Sequence, residues 1–139
     1  MNRAELQQMT TERLRDAKVL LDGQRWSYAY YVAGYAVECA LKSCVLSRMI
    51  HTGGVFADKD FSRKCFTHDF RELADLAGLT DELDSRLRSN LAFRNHWSIA
   101  VDWRETSRYR DWTEAEARGL FESISNNPDG VLSWLTGNW

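Results

Sequence analysis

Proline occurs once, at Pro128, and glycine only eight times in 139 residues. A fold of many strands joined by tight turns needs those residues at its reversals, so their scarcity argues against one and favours long helices. No apolar run approaches the roughly 18 residues of a membrane-crossing helix. The opening Met1-Asn2-Arg3-Ala4-Glu5 has no apolar core of the signal-peptide kind. The three cysteines, Cys39, Cys44 and Cys65, are odd in number, and two lie inside an apolar stretch, so they do not make a disulfide framework. Their spacings lack the close pairs of a zinc site. No metal and no cofactor is expected, and the cytoplasm is the natural compartment. Positive charge is not in excess either: the formal net charge is −2 and the pI about 5.9, so no general basic field draws the chain onto nucleic acid.

What is present is ordinary globular material. An apolar content of 44% with 27% charged residues, at this length, predicts one domain spanning residues 1–139. Among the 18 basic residues only Lys18, Lys42, Lys59 and Lys64 are lysine. Arginine offers a planar fork of donors suited to phosphate and carboxylate. A local phosphate site and plain solvated helix faces both remain open as uses for it.

The periodicity predicts an all-α, antiparallel bundle of four to five helices. Leu6, Met9, Leu14, Ala17, Leu20 and Leu21 recur at three- and four-residue steps, giving a first helix over about Arg3 to Asp22 that stops at Gly23. A second runs from Ser27, as its cap, to about Ile50. Its stretch from Tyr28 to Val37 is apolar or aromatic nearly all round, the mark of a buried central helix. Residues 52–66 read as a loop. A third helix is capped by Thr67, with Asp69 and Glu72 at the positive end of its dipole, and closes at Gly78. Thr80 caps a fourth, with Leu83, Leu87 and Leu91 inward, reaching Phe93 or beyond. The capping box Thr113-Glu114-Ala115-Glu116 opens a fifth that ends before Asn126-Asn127-Pro128, and Val131 to Leu135 add a last turn or two.

The string Tyr30-Tyr31-Val32-Ala33-Gly34-Tyr35-Ala36-Val37-Glu38-Cys39-Ala40-Leu41-Lys42 resembles the central helix of small prokaryotic HEPN proteins. Arg15 to Leu21 before it, and Thr67-His68-Asp69-Phe70, Trp103 and Arg108-Tyr109 after it, are similar landmarks in the same order. The resemblance covers about residues 11–135. It implies a HEPN-like bundle that dimerises, and roles in RNA cleavage, nucleotide binding or toxin–antitoxin pairing, often beside a minimal nucleotidyltransferase partner.

Active members of that family use an arginine followed, at a short spacing, by a histidine. Histidine moves a proton near neutral pH and arginine stabilises charge on the phosphate. Arg94-Asn95 aligns with the start of the motif, but Ile99 stands where the histidine is expected, and Val101 where some toxin members have tyrosine. His96 is the nearest substitute. Residues i and i+2 of one helix do not face the same way, so Arg94 and His96 converge only if the helix breaks there or across a dimer. Arg63 and His68 have a legal spacing too, yet roughly one such match is expected by chance in a chain of this composition.

Glu38 and Lys42 form an i,i+4 pair in the favoured orientation. They read as a structural polar network tying the second helix to an arginine elsewhere, with Arg94, Arg104 and Arg108 as the candidates. Residues 95–112 are dense in tryptophan and arginine. Asn95, Trp103, Arg104, Arg108 and Tyr109 can stack bases and hold phosphates, or form core and dimer interface. Two functions follow as expectations. One is a dimeric RNA- or nucleotide-binding or interaction subunit. The other is a metal-independent endoribonuclease using Arg94 and His96.

Overall fold

The computed structural model describes residues 1–51 and 59–139. In chain order its helices are α1 (Arg3–Asp22), α2 (Trp26–His51), α3 (Lys59–Lys64), α4 (Phe70–Leu76), α5 (Thr80–Ser89), α6 (Leu91–Ala100), α7 (Glu114–Ser125) and α8 (Val131–Thr136), with a 3-10 turn at Glu105–Tyr109. Among the described residues there is no strand, and no helix is long and apolar enough to cross a membrane. The expected all-helical bundle is what forms.

α2 occupies the centre because almost every side of it is apolar. Ala29, Val32, Ala33, Ala36, Val37, Ala40, Leu41 and Val45 are all buried, and α1, α4, α7, α8 and the 3-10 turn pack on it. Small side chains allow that crowding. Trp103 is fully buried, stacked near Phe70 and Tyr31, and lies so close to Gly34 that a methyl there would sit 2.1 Å from its ring.

Several local signals resolve differently from the expectation. Gly23 has a φ of −86°, and the left-handed residue that turns α1 into α2 is Gln24 at φ 59°. α2 starts one residue before Ser27, whose hydroxyl instead accepts from the Trp112 backbone N–H. The expected loop at 52–66 contains α3, and residues 52–58 lie outside those described. Asp69, not Thr67, caps α4 by accepting from Arg71 and Glu72, because it stands directly before the first helical residue, where its Oδ1 meets both amides. Leu79 rather than Thr80 stands at the N-cap of α5, and the Thr80 hydroxyl turns back to Asp75.

The largest change is at Asn90. Its extended backbone (ψ 102°) ends α5, and its side-chain oxygen accepts from Phe93 N to cap α6. The break rotates the following residues, so Phe93, Trp97 and Ala100 face the core. Leu91, expected inward, is 62% exposed. Residues 95–100 are therefore regular helix. The capping box of Thr113 and Glu116 forms as read, and the hydrogen bonds that the Glu116 carboxylate accepts from the Thr113 backbone N–H and hydroxyl hold it below its usual pKa.

Candidate functional site

α2 carries one polar stripe on an otherwise buried surface. Tyr28, Tyr31 and Tyr35 recur at three- and four-residue steps, and their rings lie 5.9 and 6.2 Å apart in near-parallel order. Tyr28 is 58% exposed and the other two are half-buried. The tyrosines form one wall of an open groove of about 520 Å³, with Arg13, Val19 and Leu20 of α1 opposite. Burial and neighbouring acidic groups push the Tyr35 phenol up from its ordinary pKa.

The 3-10 turn adds to this wall. Arg108 lies over the Tyr109 ring at 4.8 Å, and the phenol oxygens of Tyr109 and Tyr31 near its guanidinium raise its pKa further. Tyr109 is 77% exposed, an unusual position for so large an aromatic. Next to it, Arg110 covers Trp112 at 4.0 Å, and Trp112 stacks on Tyr30 with centroids 3.6 Å apart. A ladder of rings edged by guanidinium groups thus runs across α2 and residues 108–112.

Further along the stripe Glu38 is buried, with only 4% of its side chain exposed. Its Oε1 accepts from Lys42 Nζ at 2.9 Å and meets His68 Nδ1 at 2.9 Å. The other ring nitrogen of His68 lies 2.7 Å from Glu105 Oε2. The expected network exists, but its partner is His68 rather than an arginine. His68 joins α2, the start of α4 and the 3-10 turn at one point. The local match Arg63-to-His68 gave no hint of this, since the contact spans thirty positions of sequence.

Arg104 donates to the carbonyls of Val101 and Trp103 and sits 3.8 Å from Asp69, so it closes the end of α6 against the start of α4. Trp103 serves as packing: a ring with no exposure stacks no base in this conformation.

Arg94, Asn95 and His96 do not join this group. They lie on α6, which packs on α5, α7 and α8, whereas the 3-10 turn packs on α2. Arg94 and Asn95 are exposed, and the Arg94 guanidinium has no partner among the described residues. His96 turns to the opposite flank, where its Nδ1 lies 3.3 Å from the Ser123 hydroxyl of α7. Two steps of about 100° each separate Arg94 from His96 around a regular helix. Within one chain they do not converge. Ile99 is 43% exposed on the same helix.

Among the described residues no group of histidine, cysteine and acidic side chains could hold a metal ion. The chain matches no protein-family model, no curated protein and no solved structure at a significant level.

Proposed function

We propose that this chain is a HEPN-like bundle that binds single-stranded RNA or its nucleotides through the ring ladder of α2 and the 3-10 turn. The observation that carries the reading is the exposed Tyr109 under Arg108, continuous with Tyr31 and flanked by an open groove. Bases stack on aromatic faces regardless of sequence, each worth about 1–3 kcal/mol, and guanidinium groups beside the rings hold the backbone. The surface is mixed in charge, since Asp16, Glu105 and Asp69 lie near Arg13, His68 and Arg104. Stacking therefore carries more of the affinity than phosphate neutralisation.

The resemblance adds a homodimer and a minimal nucleotidyltransferase partner to this proposal. The exposed face of α6 suits a self-contact, because Leu91 and Ile99 stand about two turns apart with Asn95 between them. The endoribonuclease alternative gains no support from the separation of Arg94 and His96 within one chain.

Fluorescence anisotropy with short labelled RNA tests the reading. Single strands bind more tightly than duplex, and Tyr31→Ala, Tyr109→Ala and Arg108→Ala each weaken binding about tenfold or more. The salt slope corresponds to only one or two phosphates. Absence of binding at low salt, or equal affinity of all three variants and wild type, refutes it. Incubation of the same RNA with wild type, Arg94→Ala and His96→Ala separates a binder from a nuclease.

A further inference from the structure

Beyond Tyr35 the tyrosine groove leads to a second hollow. Tyr35 also lines a cavity of about 350 Å³ whose other walls include Leu6, Met9, Val45 and Leu73, with Glu38 and Lys42 as its charged groups. Both partners of Glu38 sit on Oε1. Oε2 has no partner among the described residues. It is not among the polar atoms that are sealed without one, so its small exposure opens to the cavity that Glu38 lines. A carboxylate that is otherwise buried and holds one oxygen open is an uncommon arrangement, because an ionised oxygen without a donor is costly away from water. Such an oxygen points to a ligand that brings N–H groups.

From this arrangement we infer that the cavity is a guanine-selective base pocket. This rests on the RNA-binding reading above and names the base it prefers. Oε2 has two lone pairs to offer, and Lys42, still carrying donors beyond its bond to Oε1, stands beside it. Guanine alone presents two N–H groups, N1–H and the N2 amino group, in a row with a carbonyl, O6. Both N–H groups donate to Oε2 while Lys42 donates to O6. Adenine, cytosine and uracil each bring one N–H edge group to the carboxylate and leave one of its lone pairs without a donor. The apolar walls take the faces of the ring, and Tyr35, shared by both hollows, passes the sugar and phosphate to the groove beside Arg13 and Tyr31. His68 holds Glu38 Oε1 from the far side and so fixes the direction of Oε2.

Isothermal titration of the full chain with GMP, IMP, AMP and UMP tests the pocket, with inorganic phosphate as the control and single-stranded RNA alongside. GMP binds at least about tenfold more tightly than AMP, a difference of about 1.4 kcal/mol. IMP, which lacks the N2 amino group, falls between them. Glu38→Gln, checked for native helicity, abolishes the ranking. If that variant does not fold, the ranking of the wild type decides alone. A flat ranking, or no GMP binding, while single-stranded RNA still binds overturns the pocket and leaves the RNA-binding surface intact. Full competition by phosphate alone also overturns it. If neither RNA nor any nucleotide binds, the underlying reading fails as well.

Discussion

Replacing Gly34 by alanine tests the close approach that seats the 3-10 turn on α2. A methyl group there would lie 2.1, 2.2 and 2.3 Å from Cδ1, Nε1 and Cγ of Trp103. Carbon atoms at rest stay about 3.5 Å apart, so the indole must retreat by about 1.4 Å. It has no free direction, being fully buried between Phe70 and Tyr31 at 5.3 and 6.0 Å. Overpacking of this kind costs about 1–3 kcal/mol, and expelling the ring would forfeit much of the about 3–5 kcal/mol of a buried aromatic. Against this, alanine is the better helix former by about 1 kcal/mol. An overlap this large belongs at the upper end of the overpacking range, so the packing cost wins and the net loss is about 2 kcal/mol.

Urea unfolding followed by circular dichroism should show the midpoint falling by about 1 M with an unchanged slope. Because Trp103 precedes Arg104, Arg108 and Tyr109, RNA affinity should fall with it. The double variant Gly34→Ala with Trp103→Phe should recover part of the stability, since the smaller ring leaves room for the methyl. A midpoint unchanged or raised in Gly34→Ala, as helix propensity alone would give, refutes the reasoning.

Gln24→Gly should stabilise by about 0.5–1 kcal/mol, because a left-handed backbone at φ 59° strains any residue with a Cβ, and a thermal melt reads the gain. Asn90→Ala should cost about 1 kcal/mol by removing the cap on Phe93 N, which equilibrium urea unfolding measures. Burial pushes Cys39 to about 11 and Cys44 to about 12, while Cys65 is less enclosed, so iodoacetamide at mildly alkaline pH should label Cys65 first by mass spectrometry. The same two thiols ionise in the unfolded chain near pH 9 and later in the folded one. Their contribution to stability is therefore complete below about pH 9 and declines between about pH 9 and about 12, a trend that a cysteine-to-alanine pair should flatten.

The sequence makes α2 legible because its signal is all-round apolarity, which no change of register can hide. The capping box at Thr113 is legible because both of its partners lie within three residues of each other. Asn90 is not. Leu83, Leu87 and Leu91 continue a four-residue step straight through it, and only the ψ of Asn90 reveals that Leu91 has rotated outward. That hidden break also settles the register of Arg94 and His96. In the same way, Glu38 and Lys42 announce a polar pair, but the identity of the third member depends on which segment folds against it. His68 reaches Glu38 only because Asp69 starts α4 beside the stripe.

The core and the proposed binding surface are built from the same contacts. Trp103 is held by the missing side chain of Gly34, and the 3-10 turn that follows is fastened again where His68 meets Glu105. One attachment is apolar and buried; the other is a partly exposed hydrogen bond between two side chains, hence weaker. Loss of the polar one should leave the bundle folded but free the turn that carries Arg108 and Tyr109, whereas loss of the apolar one should weaken both together. Glu105→Gln and Gly34→Ala therefore differ in kind: the first should lower RNA affinity with little change in urea midpoint, and the second should move the two in parallel. Parallel loss in both variants would mean that the turn is part of the cooperative core, and that its rings are set by folding rather than by the histidine clasp.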